Sequence, residues 1–235
     1  MQRYVPFDLA GTQGLLRANV KHNQHGAIAP GLVDALVIPH RTGARMAKKY
    51  KTIVADPPWR YGKWGGCSGR GSRGMVIDGR SVEMPYNQMA TAEIAALPVA
   101  ALAAENCDLY LWVTQKYLAD GFDVMRAWGF KYRQTLTWCK APRGTGQGGL
   151  YCPTTEFLLL GRKGRMPTGK TRKDSTWWQV KRPHNSHSTK PEFFQDLIEE
   201  QSDGPRLELF ARRPRPGWDV WGNEVECTAE LGSAV

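Results

Sequence analysis

The sequence predicts an α/β fold, with helices flanking a mostly parallel sheet. Three observations carry that expectation. Beyond Tyr50, short apolar runs alternate with segments of helical periodicity, the pattern that parallel sheets leave in a chain. The longest of these runs falls far short of a membrane span. One run, "KTIVA", stops at an acid, two prolines and a tryptophan, Asp56 to Trp59. Ligands of open parallel sheets collect where strands end, so this rigid polar corner marks a candidate site.

Residues 1–48 are weakly patterned, close on the basic "HRTGARMAKKYK", and are expected to form an extension with some helix at "GLVDALVI". The main domain is expected over 49–226, with a tail over 227–235. Its strands are "KTIVA", "DLYLWV", "RQTLTWC", "EFLLLG" and "RLELFA". Between the second and third, Leu118, Phe122 and Met125 share one helical face, and Gly129 supplies the stop. "TAEIAALPVAALAA" is helical in composition and is interrupted by Pro98. Two segments resist any element. Arg60 to Arg80 holds seven glycines and five basic residues against one acid. Arg162 to Lys190 holds nine basic residues against Asp174 alone. Long structureless loops in a compact domain are commonly functional.

The 235 residues carry a net charge of +10, which favours a polyanionic partner, nucleic acid first. The alternative is an enzyme that is simply basic. Five cysteines, odd in number and without a CxxC pair, argue against a zinc site and a disulfide framework. His22/His25 and His184/His187 are each spaced for half a metal site, but no further ligands cluster there, so no metal is expected. The N-terminus lacks the apolar stretch of a signal peptide, and a cytoplasmic protein is expected.

The corner at Asp56 suits a base carrying an exocyclic amine. Pro57 and Pro58 lack N–H groups, leaving carbonyls that can accept, and Asp56 adds a carboxylate acceptor. Trp59 offers a ring face, and base–aromatic stacking is worth about 1–3 kcal/mol. The competing reading is a strand-to-loop corner with a core tryptophan. In "HSTKPEFF", Thr189 and Glu192 have capping-box spacing, and Lys190 then falls in a first helical turn, where a cation opposes the helix dipole. A nearby anion would resolve that conflict. At the far end, "RLELFA" ends in basic residues, and "GNEV" puts Asn223 and Glu224 behind a glycine, a donor and an acceptor suited to a ribose or an adenine edge.

Taken in order, "ADPPW", "MPYNQM", "WGFKYRQTLTWCK", "EFLLLGRKG", "HSTKPEFF" and "RLELFARRPRPGWDVWGNE" resemble the MT-A70 family of N6-adenine methyltransferases. The resemblance covers about Tyr50 to Val225. It implies a Rossmann-like methyltransferase domain whose cofactor-binding elements follow the catalytic motif. It implies S-adenosylmethionine as cofactor and Asp56, Pro57, Pro58 and Trp59 as the catalytic tetrad. Asp56, Lys190, Arg212, Asn223 and Glu224 would border the cofactor, although some relatives have glutamine at the last position. An acidic residue upstream of the tetrad contacts the cofactor adenine in relatives, and no equivalent is evident here.

The substrate expected is DNA adenine, with RNA as the alternative and a non-catalytic nucleic-acid-binding relative as a third reading. A base inside a duplex is out of reach, so it must be flipped or single-stranded. Arg60, Tyr61, Lys63, Trp64, Arg70 and Arg73 of the first loop are expected to contact nucleic acid. So are Lys170, Arg172, Lys173, Trp177, Trp178, Lys181 and Arg182 of the second.

Overall fold

The computed structural model describes residues 48–61, 88–141, 150–183 and 189–231. Within them lie seven strands: β1 (Tyr50–Ala55), β2 (Ala103–Val113), β3 (Lys131–Ala141), β4 (Thr155–Lys163), β5 (Trp177–Lys181), β6 (Arg206–Leu209) and β7 (Trp218–Trp221). The four α-helices among the described residues are α1 (Thr91–Ala95), α2 (Val99–Leu102), α3 (Leu118–Ala127) and α4 (Glu192–Gln201). The strands form one sheet in the order β5-β3-β4-β2-β1-β6-β7. Every neighbouring pair is parallel except the two that β4 makes with β2 and β3. The expected α/β fold is therefore present, with one strand reversed.

Central strands explain the apolar runs. In β1 both faces are buried, with Ile53 on one side and Val54 on the other, as a covered parallel strand requires. One face packs Ile53, Leu109 and Leu111 against Ile94, Val124 and Met125 of α1 and α3. The other packs Val54, Tyr110 and Trp112 against Phe194, Leu197 and Ile198 of α4. Pro98 separates α1 from α2 as expected and stands at the N-cap of α2. Gly129 takes φ +80° beyond α3, the conformation that ends a helix at little cost for glycine.

Several expectations change. The segment Arg162–Lys190 is not structureless: β4 runs into it as far as Lys163, and β5 forms the sheet edge. β5 hides because its burial only alternates, and no apolar run announces it. β7 escapes notice for the same reason. β2 starts five residues before Asp108. α4 begins at Glu192 with Pro191 as N-cap and no side-chain cap, so Thr189 does not cap it and Lys190 precedes the helix. Phe193 of α4 is 38% exposed, while Phe194, Leu197 and Ile198 are buried.

A buried polar group ties the sheet to the end of α4. Asp108, 2% exposed, accepts from Arg162 Nε at 2.5 Å and from Ser202 Oγ at 2.7 Å. The Ser202 hydroxyl also meets Tyr110 Oη at 2.9 Å. Beyond β7 the chain folds back, with Thr228 N–H donating to the Val220 carbonyl at 2.9 Å and Ala229 buried. No described helix is long and apolar enough to cross a membrane.

Candidate active site

The carboxyl ends of β1, β2, β6 and β7 lead to Asp56, Thr114, Arg212 and the Gly222–Glu224 turn, all at one rim of the sheet. Because β4 runs the other way, its first residues, Thr155 and Glu156, reach that same rim. Asp56, Pro57, Trp59, Tyr61, Thr114, Glu156, Lys190 and Arg212 line a small cleft there, partly open to solvent. A larger hollow of about 250 Å³ touches Lys51, Asn106 and Asp203 at the opposite end. Ligands of such sheets bind at the carboxyl ends, so the smaller cleft is the candidate.

Lys190 Nζ donates to Asp56 Oδ2 at 2.6 Å and lies 3.5 Å from Glu156 Oε2. The anions beside Lys190 are thus supplied by the chain itself, and the expected conflict within a first helical turn does not arise because Lys190 precedes α4. Glu156 Oε1 in turn meets Lys140 Nζ at 2.7 Å. Burial pushes the Asp56 carboxyl above the usual range, and the Lys190 charge only partly offsets it. Burial also opposes the charges on Glu156 and Lys190. There the opposite charges prevail, holding the Glu156 carboxyl low and the Lys190 ammonium high.

The proline carbonyls are not idle, which corrects the expectation that both stay free. Pro57 C=O accepts the Trp59 N–H and Pro58 C=O accepts the Met89 N–H, each at 2.8 Å. One lone pair remains on each. Trp59 is 4% exposed, stacks on Tyr117 at 5.0 Å and donates Nε1–H to the Trp112 carbonyl at 3.2 Å. It lines the cleft as a core residue with one face already covered. Tyr61 is half-buried, and its hydroxyl meets Thr114 Oγ1 at 2.7 Å.

The exits of β6 and β7 bring Arg212, Asn223 and Glu224 together, since Leu209 pairs with Trp221. Arg212 Nε lies 3.7 Å from Glu224 Oε1, and Asn223 is exposed. Gly222 passes so close to Ala211 that a Cβ would come within 2.1 Å of its carbonyl oxygen. Only glycine fits there.

The profile of the MT-A70 family matches residues 50–224. The chain belongs to the MT-A70 family. MT-A70 methyltransferases are N6-adenine methyltransferases that use S-adenosylmethionine as methyl donor. Among proteins similar to this chain is "Type II methyltransferase M.MunI" of Mycoplasma sp, 32% identical, matching 76% of this chain and 78% of that protein. Human "N(6)-adenine-specific methyltransferase METTL4" is 30% identical over 76% of the chain and 38% of its own length. Human "N(6)-adenosine-methyltransferase catalytic subunit METTL3" is 26% identical over 76% and 28% respectively.

In this MT-A70 domain the expected nucleic-acid residues separate. Trp177 is 59% exposed on the β5 edge, and Lys181 and Arg182 stand exposed at that strand's end. Trp178 instead packs on Phe193 and Phe194. Lys170 and Lys173 pair with Asp203 and Glu200 near the end of α4, while Arg172 is exposed. Arg60 is exposed and 3.4 Å from Glu93. Lys63, Trp64, Arg70 and Arg73 lie outside the described residues. No cluster of potential metal ligands exists among the described residues.

Sequence reasoning missed Glu156, Lys140, Thr114 and Tyr117. One signal for Glu156 was present: an acid opening an otherwise apolar strand, "EFLLL". That signal points to the rim only if the strand is known to be reversed.

Proposed function

We propose that the protein transfers the methyl group of S-adenosylmethionine to N6 of an adenine in DNA, held single-stranded or flipped. The observation that carries this reading is the Asp56–Lys190 pair, 2.6 Å apart, inside a cleft at the strand-end rim. The adenine amine is a poor nucleophile because its lone pair is delocalised into the ring. Lys190 takes Oδ2 of Asp56, and the other carboxylate oxygen is the acceptor for an N6–H. The remaining lone pair of Pro57 C=O is a second acceptor. Two such bonds favour a pyramidal amine and stabilise the positive charge that develops on it. The wall of Trp59 and Tyr61 fixes the base, and positioning is most of the catalysis. Asp56 need not abstract a proton, because the methylated amine loses one readily to water.

The rim residues fit S-adenosylmethionine. When bound, the cofactor supplies a methyl group on a positively charged sulfur. Lys190 and Arg212 are cations suited to its carboxylate. Asn223 and Glu224 offer a donor and acceptors for its hydroxyls or adenine edge. Trp177, Lys181 and Arg182 supply a stacking face and phosphate contacts on the β5 edge. That edge is four strand spacings from β1, about 19 Å, so it would hold flanking nucleotides and not the target.

Similarity to the mycoplasma type II methyltransferase over most of both chains supports DNA. Similarity to the METTL3 catalytic subunit supports RNA as the second reading. The test is labelled methyl transfer to matched DNA and RNA oligonucleotides, with nucleoside mass spectrometry of the product. N6-methyladenine in DNA alone is the expected result. Product in RNA alone would reverse the substrate assignment. Cofactor binding and nucleic-acid binding without product on any sequence would favour the non-catalytic reading.

A further inference from the structure

Four charged side chains form a row across three strands and the entrance to α4: Lys140, Glu156, Lys190 and Asp56. Their links are 2.7, 3.5 and 2.6 Å. Each side chain is mostly covered, between 11% and 25% exposed. Two cations alternate with two anions, so the row is neutral, but its spacing is uneven. Lys190 sits close on Asp56 and stands off from Glu156. The two lysines also lie over tryptophan rings, Lys140 over Trp138 and Lys190 over Trp112, each 5.4 Å from the centroid. Those rings pack edge to face with centroids 6.2 Å apart. The scaffold under the charges is rigid, and Lys190 can change carboxylates by a short side-chain movement over Trp112.

We propose that Glu156, backed by Lys140, is a positioning residue that offers Lys190 a second carboxylate and so releases Asp56 for the target amine. This rests on the methyl-transfer reading above. A cation held on Asp56 opposes the positive charge that grows on N6 during attack, and it competes with N6–H for the carboxylate. Moving Lys190 toward Glu156 relieves both effects. Lys140 keeps the row neutral, because without it two carboxylates would share one cation and repel each other. Asp56 also faces Arg212, Glu208 and the Tyr61 phenol, and none of these lies between Lys190 and Glu156 in the row.

The proposal makes two variants act in opposite directions. Glu156→Gln leaves Lys190 committed to Asp56, so Asp56 titrates at lower pH. Lys140→Met strengthens the pull of Glu156 on Lys190, so Asp56 titrates at higher pH. The first readout needs no activity: the Asp56 carboxyl carbon followed by NMR against pH, assigned by its loss in Asp56→Asn. Opposite shifts are expected; shifts of one sign, or none, overturn the proposal. The second readout is kinetic. Glu156→Gln is expected to lower kcat on the order of tenfold, with nucleic-acid KM and cofactor affinity changed less than threefold. A kcat within twofold of the parent overturns it, as does a change confined to KM. If Glu156→Gln fails to fold, Lys140→Met decides alone, and an unmoved Asp56 titration overturns the proposal. A parent protein without methyl transfer would defeat the reading above, while the NMR shifts would still decide the charge row.

Discussion

Lys190 Nζ meets Asp56 Oδ2 at 2.6 Å across 134 residues of sequence. The pair joins the strand-end corner after β1 to the segment that enters α4, and it sets one wall of the cleft. Neither residue has a reason to be buried without the other. An isolated buried charge is far costlier than a paired one.

Removing the carboxylate should therefore separate chemistry from cofactor binding. Asp56→Ala is expected to reduce methyl transfer by about 10²–10³-fold or more, the range for losing one preorganised transition-state contact. Calorimetry with S-adenosylmethionine should still detect binding. Activity near the parent level would remove Asp56 from the mechanism.

Lys190→Ala should weaken S-adenosylmethionine more than nucleic acid. It also strips Asp56 and Glu156 of their shared cation, so both carboxyls should titrate higher and the acid limb of the pH–rate profile should move up. The reverse affinity ranking by calorimetry would place the lysine on the nucleic-acid side.

Glu208 presents a different pH effect. Burial, with the Asp56 charge nearby, pushes its carboxyl up to about 7, while an unfolded glutamate titrates near 4.3. Between those values the unfolded state has lost a proton that the folded state keeps, so stability falls as pH rises through this window. Glu208→Gln should flatten that slope and stabilise the protein above pH 7 by roughly 2 kcal/mol. Denaturant melts at pH 5 and pH 8 measure the difference, and an unchanged slope would count against it.

The buried Asp108 gives a stability test away from the cleft. Asp108→Ala strands Arg162, 13% exposed at its side chain, and should cost about 3–5 kcal/mol. Ser202→Ala, which removes one hydrogen bond to Asp108, should cost about 1–3 kcal/mol. Urea unfolding of the three proteins would rank them.

The two adjacent tryptophans should part company. Trp177→Ala is expected to weaken oligonucleotide binding by about 1–3 kcal/mol with little change in melting temperature. Trp178→Ala should lower the melting temperature instead, because its ring packs on Phe193 and Phe194. Affinity should fall steeply with salt, and Lys181→Ala and Arg182→Ala should each reduce the slope by about one. Lys170→Ala should change it less, since Asp203 already holds that charge at 2.8 Å. A flat salt titration would detach the β5 edge from nucleic acid.

Much of this was legible in the chain. The alternation of apolar runs marked five strands because β1, β2, β4 and β6 bury their inward residues and β3 shares that core at Trp138. The "DPPW" string marked the corner because prolines and a tryptophan at a strand end are local chemistry, independent of what packs nearby. Arg212, Asn223 and Glu224 were found by their motif, and the pairing of β6 with β7 brought them together. Strand direction was not legible, because an antiparallel strand buried on both faces carries the same apolar run as a parallel one. The reversal of β4 alone takes Glu156 to the rim and sets it between Lys140 and Lys190. Asp56, Lys190 and Arg212 were legible in the sequence; Glu156, and with it the charge balance of the site, was decided by the direction of one strand.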